Sequence, residues 1–301
     1  MAAPATAPAP SILATIGNTP VLHFRNITPP DHANVYLKLE SLNPTGSYKD
    51  RMALSMITQA EKRGDLKPGM TVVEATGGST GSSLAFICAV KGYNFHVVSS
   101  DVFAAEKIKT MRAFGAEVDL MHVPGGKITK ELFPEMMERA TVKVESDPGR
   151  ELVEQFAGGI DAFCGAAGSA GMLMGVATIL KKQNQTTSKD TKVVVLEPAS
   201  SPVITQGWTG THGVEGISPG FRPPHLDDAL CDEARAIDEE EGRAMCRRLA
   251  REEGVLVGTS AGLNVGAALQ LAKELGPGKT VVTVACDTGL KYMNSSLLAD
   301  S

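Results

Sequence analysis

Along the chain, apolar positions switch repeatedly between a period of two and a period near 3.6. Residues 35–40, Val-Tyr-Leu-Lys-Leu-Glu, alternate apolar and polar and predict a strand. Residues 52–63 then place Met, Leu, Ile and Ala at helical spacing and predict a helix. The same exchange continues to the end of the chain. Strands are predicted at 71–75, 95–99, 116–122, 162–164, 193–197, 254–257 and 281–286, and helices at 82–91, 104–114, 130–140, 171–182, 239–253 and 261–275. Many of these strands are unbroken β-branched runs, as in Val193-Val-Val-Leu196 and Val281-Val-Thr-Val284, which suits strands covered on both faces. The pattern predicts an α/β protein of mostly parallel, twisted sheets flanked by helices. No internal repeat of fixed period interrupts it.

Sheets of this kind bind ligands at the carboxyl ends of their strands, so the residues just after each predicted strand carry the functional information. Four such stretches stand out. After the first strand, Asn43-Pro44 and Thr45-Gly46 read as turn punctuation, with Ser47 as a helix cap. Lys49 then falls in the first turn of the helix, where the dipole disfavours a cation. A lysine that gives up its proton readily is what Schiff-base chemistry requires, although taken alone Lys49 is one surface lysine among many. The second stretch, Thr76-Gly77-Gly78-Ser79-Thr80-Gly81, opens a helix with glycines and hydroxyls, a form suited to anions and equally to a tight capped turn. The third, Cys164-Gly-Ala-Ala-Gly168-Ser169-Ala170-Gly171, makes a phosphate cradle of the same kind. It has neither the Gly-Lys-Ser/Thr of a Walker loop nor the acidic partner of a dinucleotide site. The fourth is Cys286-Asp287-Thr288-Gly289 after the last strand.

Composition narrows the reading. The 301 residues suffice for one or two domains, and 43% hydrophobic with 21% charged residues is globular. A net charge of −5 gives no nucleic-acid footprint, so an anionic ligand must be held by local donors. Five scattered cysteines without Cys-x-x-Cys spacing read as buried free thiols in a reducing compartment. The six histidines show no metal-ligand spacing, and no metal is expected. The Ala/Pro-rich start resembles neither a secretory signal nor a transit peptide, and no apolar run spans a membrane, so a cytoplasmic protein is expected. The acidic run Asp238-Glu-Glu-Glu241 reads as a solvated helix start.

Taken together, Asn43-Pro-Thr-Gly-Ser-Tyr-Lys-Asp-Arg51 and the three later loops resemble the pyridoxal-phosphate enzymes of fold type II. That group is the tryptophan-synthase-β type, and the likeness is greatest to cysteine synthase and cystathionine β-synthase. Further segments carry it: Gly17-Asn-Thr-Pro20, Glu197-Pro-Ala-Ser-Ser-Pro-Val-Ile204, Gly216-Ile-Ser-Pro-Gly-Phe221 and Gly258-Thr-Ser-Ala-Gly262. The resemblance runs from Gly17 to about residue 298. It implies that Lys49 holds the cofactor and acts as catalytic base. It implies that Gly168, Ser169, Ala170 and Gly171 bind the phosphate and that Thr288 meets the pyridine nitrogen. A hydroxyl there leaves the ring a weaker electron sink, which favours elimination and β-replacement over transamination. Thr76, Gly77, Gly78, Ser79, Thr80 and Gly216 would bind substrate, with Ser79 also near the cofactor's phenolic oxygen. Two departures stand out: Ser79 replaces an asparagine, and Ala170 replaces a glycine. Asp287 is read as a cap on the following turn.

The resemblance further implies two domains. Residues 41–147 would form a smaller, mobile domain, residues 11–40 and 148–301 a larger cofactor-anchoring one, and residues 1–10 a disordered tail. The expected function is β-elimination or β-replacement on a serine-derived amino acid, as in cysteine synthase (O-acetylserine sulfhydrylase), in a homodimer whose partners are small amino acids and neither nucleic acid nor membrane. The chain is shorter than its relatives over 136–158, where only a helix at 149–155 is recognisable. The alternatives are a dehydratase or desulfhydrase of the same fold, and a weakened pyridoxal-phosphate-binding relative.

Overall fold

The computed structural model describes residues 8–122, 148–184, 190–293, 295 and 297. The expected helix at 130–140 and most of the shortened 136–158 stretch lie outside them, as does most of the N-terminal tail. The described chain runs β1 (Val21–His23), β2 (Asn34–Lys38), α1 (Lys49–Arg63), β3 (Thr71–Ala75), α2 (Ser79–Lys91), β4 (Asn94–Ser100), α3 (Ala105–Ala113) and β5 (Glu117–Met121). It continues α4 (Pro148–Gln155), β6 (Ala162–Ala166), α5 (Gly171–Asn184), β7 (Lys192–Pro198), β8 (Glu233–Ile237), α6 (Glu239–Glu252), α7 (Thr259–Leu275) and β9 (Thr280–Val284).

Two sheets result. One has the order β1-β2-β9-β6-β7-β8, parallel except for β1, and the other the order β3-β4-β5, wholly parallel. The chain thus begins in the larger sheet, leaves after β2 to build the smaller one, and returns through α4. The unbroken apolar strands sit where both faces are covered. Val193, Val195, Val282 and Val284 face one layer with α4 and α5, while Val194, Leu196 and Val281 face the other with α6 and α7. The smaller sheet packs through Phe95 and Val97 on α1, α2 and α3.

The order of the larger sheet places the site. Strands β2, β9 and β6 are parallel neighbours, so the turns after them emerge side by side on one edge. Asn264 of α7 ties two of these ends together: its side chain is fully buried, accepts from Ala166 N (2.8 Å) and donates to Val284 O (2.9 Å). Glu197, also buried, accepts from the amides of Ile204 (2.7 Å) and Thr205 (2.8 Å) and so folds the loop after β7 back on its strand.

Some local expectations differ. Residues 254–257 do not form a strand; only Val257 makes an isolated bridge, to Thr288. The neighbours of β9 are β2 and β6, so the sheet has no slot for another strand there. Strands β1 and β8, which the pattern does not predict, occupy the two edges. No helix among the described residues is long and apolar enough to cross a membrane.

Candidate active site

Lys49 is the first residue of α1, and its two successors fix where it points. Successive helical residues project about 100° apart, so pinning two of them orients the third. Asp50, fully buried, accepts from Thr45 N (2.8 Å) and Thr45 Oγ1 (2.6 Å). Burial pushes the Asp50 carboxyl up, and the bonds from Ser83 and Thr45 oppose that. Arg51 donates to Glu40 through Nε (2.7 Å) and Nη2 (2.9 Å), and to Glu151 of α4 through Nη1 (2.5 Å). Glu151 also accepts from the fully buried Lys38 (2.7 Å). Burial pushes Glu151 up, but the bonds from Arg51 and Lys38 outweigh it and hold the carboxyl down at about 2. This cluster locks β2, α1 and α4 together, and Lys49 is left on the remaining face, its Nζ 4.6 Å from the centroid of the Tyr48 ring. Ser47 accepts from Lys49 N (3.3 Å), although the helix cap itself is Tyr48.

The turn carrying Lys49 is paired with the end of β9. Tyr48 N donates to Cys286 O (3.2 Å) and Thr288 N to Gly46 O (3.0 Å). Here the reading of Asp287 as a cap is corrected. The Thr288 hydroxyl caps the turn by accepting from Leu290 N (3.3 Å). Asp287 is buried at the site instead, and its Oδ2 accepts from Tyr292 Oη (2.8 Å) and Ser79 Oγ (3.4 Å). Its Oδ1 is buried with no hydrogen-bond partner among the described residues. Because the Thr288 oxygen accepts from an amide, its own proton remains free to be donated.

The Gly-rich loop after β6 leads into the N-terminus of the 14-residue α5. Tyr48 lines the same hollow as Gly168, Ser169, Ala170 and Gly171. Gly168 lies under the loop carrying Gly216, and Ser218 N of that loop donates to Ala167 O (2.9 Å). Ala170 has φ +65° and Ser218 φ +44°. Ser218 is held there by its hydroxyl, which donates to Ser201 O (3.1 Å), whereas Ala170 has only its backbone. The fourth wall is the Thr76–Thr80 loop. The Phe103 ring covers Gly77 so closely that a β-carbon there would lie 1.7 Å from it. Ser79 and Thr80 open α2.

The structure therefore gathers Lys49, Ser79 and Thr288 at one edge, with Gly168–Gly171 and Gly216 meeting beside them. It adds residues that the sequence did not single out. Lys291 Nζ donates to Ser79 Oγ (3.2 Å), and burial pushes its ammonium pKa down while Asp287 opposes that. Tyr292 and Lys107 stand behind Asp287. Glu74, at the end of β3, is pushed up to about 7 by burial, with Lys49 nearby pulling the other way. No motif spacing points to Lys107 or Glu74, whose roles depend on contacts distant in sequence. Among the described residues no cluster of His, Cys, Asp or Glu side chains is arranged to hold a metal ion.

Residues 12–287 match the family described as pyridoxal-phosphate dependent enzymes. The chain belongs to that family. Across 96% of its length it is 41% identical to a cysteine synthase of Staphylococcus aureus, covering 97% of that protein. It superposes on the cysteine synthase (OASS) of Entamoeba histolytica with a TM-score of 0.87 at 30% identity, covering 100% of this chain and 94% of that one. The O-ureido-L-serine synthase of Streptomyces lavendulae is 35% identical over 95% of this chain and 92% of that protein. This pyridoxal-phosphate enzyme thus has a fold type II architecture.

The residues present fit the cofactor. The N-terminus of α5 and Ser169 offer donors to a phosphate. The Thr288 proton suits an unprotonated ring nitrogen, and the Asp287 oxygen that has no partner among the described residues marks the same end of β9 as a polar wall.

Proposed function

We propose that the chain catalyses β-replacement on a serine-derived amino acid, as a cysteine synthase acting on O-acetylserine. The observation that carries this is the pinning of Lys49 by Asp50 and Arg51 beside both the Thr288 turn and the hollow of Gly168–Gly171. Lys49 would hold the cofactor through Nζ, Gly168, Ser169, Ala170 and Gly171 would hold its phosphate, and Thr288 would donate to its ring nitrogen. When bound, pyridoxal phosphate supplies an electron sink conjugated with the bonds at the substrate α-carbon. Lys49 Nζ, in its neutral form, would take the α-proton as base and return a proton to the α-carbon once the nucleophile has added. Thr76, Gly77, Gly78, Ser79 and Thr80, the loop that leads into the start of α2, would hold the α-carboxylate at that helix N-terminus. Gly216, on the loop against Gly168, borders the substrate and limits access of water. The leaving group departs from the β-carbon, and a thiol adds there.

The same reading treats residues 41–147 as a smaller domain that closes on substrate, and the protein as a cytoplasmic homodimer. Sedimentation of the purified protein checks the dimer, and fractionation of cells the location. A neighbouring reading draws on the Streptomyces lavendulae relative. The short Ser79 side chain leaves more room than an asparagine, which suits a bulkier nucleophile than sulfide. Assaying O-acetylserine with sulfide against O-acetylserine with a hydroxylated urea decides between the two. Formation of cysteine supports the first reading, and exclusive use of the urea replaces it.

A further inference from the structure

Lys107 lies on α3, in the body of the smaller sheet, and is 3% exposed. Its Nζ pairs with Glu215, the residue before Gly216, and donates to Tyr292 Oη (3.3 Å) beyond β9. It also sits 4.6 Å from the centroid of the Tyr292 ring. One buried ammonium therefore joins three segments: a helix of the smaller sheet, the loop over Gly168, and the turn that follows Thr288.

The donor inventory fixes the direction of every proton in this chain of contacts. An ammonium only donates, so the Tyr292 oxygen accepts from Lys107 and its own proton goes to Asp287 Oδ2 (2.8 Å). Lys291 likewise donates to Ser79 Oγ (3.2 Å), which directs the Ser79 proton to the same Oδ2 (3.4 Å). Two lysines thus turn two hydroxyls onto one carboxylate oxygen and leave Oδ1 of Asp287 without a partner among the described residues. Stability alone does not explain a lysine at position 107. Its helix neighbours Ile108 and Met111 are buried and apolar, and replacing a buried ion pair by apolar side chains is often neutral or stabilising.

We propose that Lys107 is a positioning residue for the reaction. It seats the Gly216 loop through Glu215 and aims Asp287 through Tyr292, so that docking of the smaller sheet sets both sides of the site together. This rests on the reading of the site given under Proposed function.

The test uses the full-length holoenzyme, with O-acetylserine and sulfide as substrates. The unsubstituted protein is measured first: absence of a cofactor band or of turnover overturns the reading of the site itself, before any variant is made. Lys107→Met is expected to raise KM for O-acetylserine about tenfold or more and to move the visible cofactor band, the effect of a misplaced site. Tyr292→Phe, a change of one buried hydroxyl, is expected to move the band while KM stays within about threefold, since it leaves the Glu215 pair intact. Lys107→Arg, which keeps the charge, is expected to recover most of the loss. The proposal is overturned if Lys107→Met keeps the parental KM, kcat and band. It is equally overturned if Lys107→Met and Tyr292→Phe only lower the melting temperature, with KM and band unmoved, which is the signature of packing alone.

Discussion

A β-carbon on Gly168 would lie 2.3 Å from the carbonyl oxygen of Gly216, so the two loops meet backbone to backbone. The loop that would hold a phosphate and the loop that would border the substrate are thus seated on each other, and neither moves alone. Gly168→Ala is expected to drive them apart. The outcome should be loss of pyridoxal-phosphate binding of about tenfold or more, read by fluorescence titration of the apoenzyme, because the clash is with main chain and no side chain can yield.

Two residues further along the same loop the opposite change should help. Ala170 holds a left-handed backbone with φ +65°, which strains a residue with a β-carbon. Ala170→Gly is expected to raise stability by up to about 1 kcal/mol in chemical denaturation, the relief being offset in part by glycine's freer unfolded state. Unchanged or lowered stability would show that the loop relaxes around the alanine.

Glu151 supplies an acid-side dependence. Its folded pKa, about 2, is depressed from an ordinary 4.5. Its contribution is therefore complete above about pH 4.5 and is lost as the pH falls toward 2. That difference corresponds to about 3 kcal/mol as an order of magnitude. Glu151→Gln should flatten the stability profile across this window and lower stability at pH 7 by a similar amount, since Arg51 and Lys38 lose their shared partner. Because Arg51 follows Lys49 by two residues, cofactor binding should weaken as well.

Glu74 has the opposite sign. Burial raises its folded pKa from 4.5 to about 7, so the folded state takes up a proton that the unfolded chain does not. Stability should fall as pH rises from about 4.5 through 7 and stay low above it. Glu74→Gln is expected to stabilise the protein at pH 8 and to have little effect near pH 4, read by thermal unfolding at both values.

What the sequence discloses and what it withholds follow from the range of the interactions. The turn holding Lys49, the Gly-rich loops at 76–81 and 164–171, and Thr288 are local signals placed after strands, and the parallel order β2-β9-β6 brings the Lys49, Thr288 and Gly168 turns side by side. The alternation of periods likewise gives the buried strands and long helices. Short edge strands such as Val21–His23 carry too few residues to show a period, and the apolar run 254–257 looks like a strand until the sheet order denies it a place. Asp287 was legible as an acidic residue beside a turn, but its partners Tyr292, Ser79 and the chain leading to Lys107 come from three segments. A lysine buried in α3 leaves no trace in the helical pattern, because its reason for being there is on another loop.

Whether Lys49 is the cofactor lysine of a β-replacement enzyme is decided by one measurement. It is the visible absorption spectrum of the purified protein with pyridoxal phosphate, before and after addition of O-acetylserine, for the parent and for Lys49→Ala. The expected result is a band of lysine-bound cofactor in the parent that shifts on adding O-acetylserine and returns when sulfide is supplied, and neither band nor shift in the variant. A parent without the band, or a Lys49→Ala protein that keeps both band and shift, would contradict it.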